Sequence, residues 1–221
     1  MKPVIGIVPN STYQENDDSF FDTYRYSNNF VKKIVENGGI PYFIPYVNNE
    51  VIMESLDNID GVILPGGNKV LKSTFKVIDY CISHNKPVLG VCLGMQTLAM
   101  YSVNKDLDGE YKNILVKDDS SIHWPFELKR DDEDRLAHDI LVNKGTRLYD
   151  LIGEKRKVNS VHNYCVNEVG SDFIVSAYSS DGVIEGIEYK DKSKFLMGVQ
   201  FHPEVLDEFN NIFASFIEAC K

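Results

Sequence analysis

Pro87-Val88-Leu89-Gly90-Val91-Cys92-Leu93-Gly94 decides how the rest of the chain is read. A short, uncharged apolar run introduced by proline has the texture of a strand buried on both faces, and such strands belong to parallel sheets covered by helices. The run continues without a break into Gly94-Met95-Gln96-Thr97-Leu98-Ala99-Met100-Tyr101, which predicts a helix over 94–101. Cys92 therefore stands at a strand-to-helix junction, flanked by Gly90 and Gly94 in the G-x-C-x-G spacing of a nucleophile elbow. Small neighbours let so sharp a turn close. The helix behind it aims its N–H groups and positive dipole end at the sulfur, favouring thiolate over thiol. A buried cysteine between two glycines that merely ease packing is the plainer alternative, and the strand-to-helix context tells against it.

Working back from this segment, strands are predicted over 4–8, 40–44 and 61–64, and helices over 24–35, 51–56 and 70–84, with Asn37-Gly38-Gly39 and Pro65-Gly66-Gly67 as punctuation. Buried strands alternating with helices predict a doubly wound α/β fold with a mostly parallel sheet and flanking helices. Working forward, residues 102–136 are polar and acidic, with Asp118-Asp119 and Asp131-Asp132-Glu133-Asp134, and read as a surface insertion in which Trp124 and Phe126 could cap a pocket. Beyond it the chain turns β-rich, with strands expected over 138–142, 158–161, 173–178, 183–189 and 195–201. A closing helix over 204–220 carries Val205, Phe209, Ile212, Phe213, Phe216 and Ile217 on one face.

The 221 residues, 43% hydrophobic and 25% charged, are expected to form a single catalytic domain, 1–221. A net charge of −10 repels a phosphate backbone or an anionic bilayer, which excludes nucleic acid and membrane as partners. Met1 to Pro9 offers too short an apolar stretch for a secretory signal or a span, so a cytoplasmic location is expected. Cys81, Cys92, Cys165 and Cys220 are scattered without a C-x-x-C, which predicts no disulfide framework; no residues have metal-ligand spacing, so no metal is expected.

A carbonyl under attack by Cys92 builds charge on its oxygen and needs preorganised donors. Pro65-Gly66-Gly67 ends a neighbouring strand at the same sheet edge, so the N–H of Gly67, with or without Gly66, is placed to pair with that of Leu93. The thiolate also needs a base oriented by a third group. Of five histidines, His202 ends the strand-like Gly198-Val199-Gln200-Phe201, is pinned by Pro203, and has Glu204 two residues on to receive its second N–H. His84, His123 and His138 lack such company and are expected at the surface or as caps, while His162, in Asn159-Ser160-Val161-His162-Asn163-Tyr164, lies in a polar loop able to line a pocket.

Taken together, Gly90-Val91-Cys92-Leu93-Gly94-Met95-Gln96 and Gly198-Val199-Gln200-Phe201-His202-Pro203-Glu204 resemble the class I glutamine amidotransferase family, a flavodoxin-like fold. Pro3 to Pro9, Gly38-Gly39-Ile40-Pro41, Val158-Asn159-Ser160-x-His162 and Asp181-Gly182-Val183-Ile184-Glu185-Gly186-Ile187-Glu188 resemble more narrowly its γ-glutamyl hydrolase branch, the C26 peptidases. The resemblance implies a Cys92-His202-Glu204 triad and an oxyanion hole from Gly67 and Leu93. It also implies that Gly66, Gln96, His162, Asn163 and Tyr164 bind a small-molecule γ-glutamyl substrate, with no cofactor. Cys92 would attack the γ-carbonyl, and a γ-glutamyl thioester would be hydrolysed to release glutamate and an amine, either a small amine or a nucleotide phosphoramidate. Leu93 stands where that branch usually carries Arg, and the Tyr-Gly-Glu element expected after Gly67 is absent; Leu93-Gly94-Met95-Gln96 is similar instead to glutaminase subunits. The alternative is therefore a glutaminase that delivers ammonia to a partner synthase. A third reading, a non-catalytic binding protein on this scaffold, leaves the intact Cys, His and Glu without a reason.

Overall fold

The computed structural model describes residues 1–9, 24–46, 48–107, 111–120, 122–123 and 136–221. Trp124, Phe126 and the acidic run 131–134 lie outside these residues. In the first half, β1 (Val4–Ile7), α1 (Asn28–Glu36), β2 (Ile40–Phe43), α2 (Asn49–Asp57), β3 (Gly61–Leu64), α3 (Ser73–Ser83), β4 (Val88–Val91) and α4 (Leu93–Asn104) alternate. Ser27 and Asn48 begin α1 and α2 in the expected manner, each accepting a backbone N–H of the first turn through its side-chain oxygen. The second half adds β5 (Leu115–Lys117), β6 (His138–Val142), α5 (Arg147–Ile152), β7 (Lys155–Val158), β8 (Tyr164–Val166), β9 (Phe173–Ser179), β10 (Ile184–Tyr189), β11 (Leu196–Val199) and α6 (Asn210–Ala219).

The described strands build one nine-stranded sheet in the order β2-β1-β3-β4-β11-β10-β9-β6-β7, and a two-stranded ribbon of β5 and β8. From β2 to β11 every neighbour is parallel; from β11 to β7 every neighbour is antiparallel. The pleat sorts side chains strictly between two cores. Ile5, Ile7, Ile63, Leu89 and Val91 face α1 and α6 with Phe30, Phe213 and Phe216, while Val62, Leu64 and Val88 face the side of α2, α3 and α4 with Ile52, Leu56, Ile78 and Leu98. Each large side chain fully buried in this way contributes about 1.5–3 kcal/mol. The covering of both faces explains why β3 and β4 are apolar throughout.

Two expectations are corrected. The closing helix does not begin at Glu204: two 3₁₀ turns, Pro203–Val205 and Asp207–Phe209, precede α6. Between them Leu206 is extended and packs on the core, and Asp207 is held by Lys33 Nζ at 2.6 Å, contacts that a continuous helix could not make together. The stretch 102–136 is more than a surface excursion, because β5 pairs with β8, Ile114 is buried, and His123 is wholly enclosed.

Candidate active site

β3, β4 and β11 are adjacent and parallel, so their carboxyl ends emerge side by side at one sheet edge, about 4.8 Å apart. This brings together residues more than a hundred positions apart: Pro65-Gly66-Gly67 after β3, Cys92 after β4, and His202 shortly after β11.

Cys92 adopts φ +53° and ψ −109°, a conformation that L-residues rarely enter and that costs about 1–3 kcal/mol. The surrounding chain holds it there. Its N–H donates to Val199 O at 2.8 Å and its carbonyl accepts from Gln96 N at 3.1 Å, locking the residue between β11 and the first turn of α4. The elbow also brings α4 against β3 so closely that a Cβ at Gly94 would lie 1.9 Å from Leu64 O. Glycine is required there.

His202 hydrogen-bonds Cys92, and its Nδ1 lies 2.7 Å from Glu204 Oε1. Burial disfavours the imidazolium, but the charges of Glu204 and Cys92 and their hydrogen bonds outweigh it, holding His202 well above an ordinary histidine. The imidazole is thereby held in its protonated form beside the sulfur. Gly66 stands over the ring: a Cβ there would sit 3.0 Å from His202 Cε1 and 3.5 Å from Cys92 Cβ. Asn159, buried, has no separate role in the sequence pattern, yet it brackets His202. Its Nδ2 donates to His202 O at 2.8 Å and its Oδ1 accepts from His202 N at 2.7 Å. The only sign of it in the sequence is its place in Val158-Asn159-Ser160-x-His162.

A pocket of about 330 Å³ opens beside the sulfur, lined among others by Gly67, Cys92, Leu93, Gln96, His162 and Tyr164. Asn163 lines it too. Gln96 Nε2 donates to Tyr164 O at 2.7 Å and to Gln200 Oε1 at 3.1 Å, so α4 holds the loop that forms the opposite wall. The other cysteines differ in kind: burial pushes Cys81 up to about 12 and raises Cys165 and Cys220.

His84 is exposed at the end of α3, but the expectation of a surface or capping role fails for His123 and His138, both buried. They meet His162 and Glu185 in the interior, a gathering of four potential metal ligands that no spacing in the sequence announces. Only the fold shows this, since the four belong to separate elements. His162 wears two faces: it lines the pocket, yet its Nε2 lies 3.7 Å from Glu185 Oε1. Burial pushes His162 down to about 4 against the charge of Asp118, lowers His138, and pushes Glu185 up to about 7.

A sequence model of the Peptidase C26 family matches residues 3–76 and 72–204. A glutamine amidotransferase-like protein of Rickettsia prowazekii is 25% identical over 283 aligned positions, spanning 100% of this chain and 98% of the relative. A glutamine-hydrolysing GMP synthase subunit of Picrophilus torridus is 30% identical, over 79% of this chain and 84% of the relative. Among solved structures, a GMP synthase subunit of Thermoplasma acidophilum matches with a TM-score of 0.70 at 22% identity, covering 100% of this chain and 95% of that one, a likeness of fold.

Proposed function

We propose that this chain, which belongs to the Peptidase C26 family within the class I glutamine amidotransferase-like superfamily, is a cysteine hydrolase that cleaves a γ-glutamyl amide to glutamate and an amine. The observation that carries the reading is the line of Cys92, His202 and Glu204 at the mouth of a pocket of about 330 Å³, near the lower end of the ~300–1,000 Å³ typical of small-molecule sites.

The thiolate of Cys92 attacks the γ-carbonyl carbon. The electron pair displaced onto the carbonyl oxygen is received by the N–H groups of Leu93, the first residue of α4, and Gly67 across the mouth. Collapse of this intermediate breaks the C–N bond, and His202 gives its proton to the departing nitrogen, leaving a γ-glutamyl thioester. Water, deprotonated by His202, then attacks the thioester and releases glutamate and thiolate. Glu204 orients the imidazole and stabilises its cationic form throughout. Gln96 spends its amide donors on Tyr164 and Gln200, so its carbonyl is the group offered to the substrate ammonium, while His162, Asn163 and Tyr164 shape the wall around the glutamyl end and Gly66 packs instead against the His202 ring.

A second reading has its own support: a relative of 30% identity is the glutamine-hydrolysing subunit of a synthase, and Leu93 follows the nucleophile where a hydrolase of this branch carries Arg. In that case the amine is ammonia and a synthase receives it. Mass spectrometry of the purified chain with a panel of γ-glutamyl amides separates the two. The hydrolase reading expects kcat/KM for a bulky amide at least ~10-fold above that for glutamine, or about 1.4 kcal/mol of added transition-state binding. Inactivity on every amide, with glutamine turnover restored by a co-purifying synthase, would overturn it.

A further inference from the structure

Behind the pocket wall, His123, His138, His162 and Glu185 converge, all buried, with one ligand-capable atom from each lying within 4.8 Å of the others. They arrive from different parts of the chain: the segment after β5, the first residue of β6, the loop before β8, and the second residue of β10. We propose that these four residues form a closed structural site for one divalent transition-metal ion, with the chemistry of zinc, held by three imidazoles and one carboxylate.

The distances are those of ligands about a common centre. Glu185 Oε1 lies 3.5 Å from His123 Nδ1, 3.4 Å from His138 Nε2 and 3.7 Å from His162 Nε2. A hydrogen-bonded pair would stand near 2.8 Å, whereas the edge of a tetrahedron with metal–ligand bonds of 2.0–2.1 Å is about 3.3 Å. Closing on an ion requires only that the imidazoles draw in from their widest separation.

The polar atoms are otherwise stranded. Both carboxylate oxygens of Glu185, which is 0% exposed, lack a hydrogen-bond partner, as do Nε2 of His138 and both ring nitrogens of His162. So many unsatisfied groups in one dry place would cost several kcal/mol together. A cation they share removes that cost.

The second nitrogens of His123 and His138 are held as metal-binding histidines hold them. His123 Nε2 is 3.1 Å from Asp181 Oδ2, with Asp118 Oδ2 farther off at 3.8 Å, and Asp181 itself accepts from Ser179 Oγ. This turns Nδ1 of His123 toward Glu185. His138 Nδ1 is 3.3 Å from Asp139 O, which turns Nε2 inward. Ser160 Oγ, 3.5 Å from His123 Nδ1, spends its proton on His123 O at 2.9 Å. Imidazole and carboxylate donors in a small tetrahedral cage suit zinc rather than calcium or magnesium, and four buried protein ligands leave no open position for chemistry.

Such an ion would staple the loop carrying Asn159 to Tyr164 onto β6 and β10. The site does not depend on the reaction proposed above and is tested without it. Tag-free protein, purified without chelator, is measured for metal by mass spectrometry. About one zinc per chain is expected, lost in Glu185→Gln and His138→Ala but retained in Cys92→Ala. Stripping the metal should lower Tm by about 5–10 °C, restored by zinc. Cobalt(II) in place of zinc should show tetrahedral d–d absorption without thiolate charge-transfer bands, a readout on wild-type protein that stands even where the variants fail to fold. A wild-type chain that remains metal-free after exposure to zinc and takes up no cobalt, metal retained in both ligand variants, or a thiolate band that vanishes in Cys92→Ala would each overturn the site.

Discussion

The two halves of the sheet hold their polar groups in opposite ways. At the parallel half, His202 and Glu204 are joined at 2.7 Å, Asn159 brackets the histidine backbone, and the mouth opens on a pocket. At the antiparallel half, His123, His138 and His162 stand 3.4–3.7 Å from Glu185 Oε1, buried, with only His162 also reaching the pocket wall. A site that moves protons needs its partners already in hydrogen-bond contact and reachable by substrate. A site that only holds something needs neither, and its internal distances are set by what it holds.

The contrast breaks most readily at Cys92. Cys92→Ala is expected to lower γ-glutamyl amide hydrolysis by ~10³-fold or more, because the sulfur alone forms the covalent bond, while the circular dichroism spectrum stays that of wild type. Retention of about a tenth of wild-type activity would mean that the parallel half is not the reacting half.

Asn159→Ala sharpens the comparison, since its two hydrogen bonds position His202 without touching the substrate. The expected loss is ~10–10²-fold in kcat with KM little changed, against a loss near that of Cys92→Ala for His202→Ala. An Asn159→Ala variant that changed only KM would move Asn159 from positioning His202 to binding substrate.

The smallest effect concerns stability. Because Cys92 sits at φ +53°, Cys92→Gly relieves backbone strain that Cys92→Ala retains. The glycine variant is expected to exceed the alanine variant by about 1 kcal/mol, or ~2–4 °C in Tm by differential scanning calorimetry, with both inactive. Equal melting temperatures would show that the elbow stores no strain.

What the sequence disclosed follows from the same difference. Gly90 to Gln96 and Gly198 to Glu204 are contiguous, and each carries its strand, turn and functional residue together, so the elbow and the histidine are legible without the fold. The central parallel strands β3 and β4 are equally legible, since burial on both faces makes them apolar throughout. The interior cluster is not. Its members lie at positions 123, 138, 162 and 185, and only the pairing of β6 with β9, β9 with β10, and β5 with β8 folds them onto one another. The ribbon itself is hidden because its strands are three residues long, too short for a periodicity to show. The late start of α6 is hidden for another reason: the Lys33–Asp207 contact that interrupts the pattern comes from the far end of the chain.

The pairing of β4 with β11 also sets a schedule. β11 lies roughly a hundred residues after β4, so this is among the most non-local contacts in the sheet. At a synthesis rate of about 5–20 residues per second, the strand bearing the elbow waits roughly 5–20 s on the ribosome with one edge bare. Val88 to Val91, four apolar residues without a charge, are then an open template for another chain. The nascent protein passes through its most aggregation-exposed interval with the elbow strand still unpaired, and the arrival of one strand ends both the exposure and the incompleteness of the cysteine site.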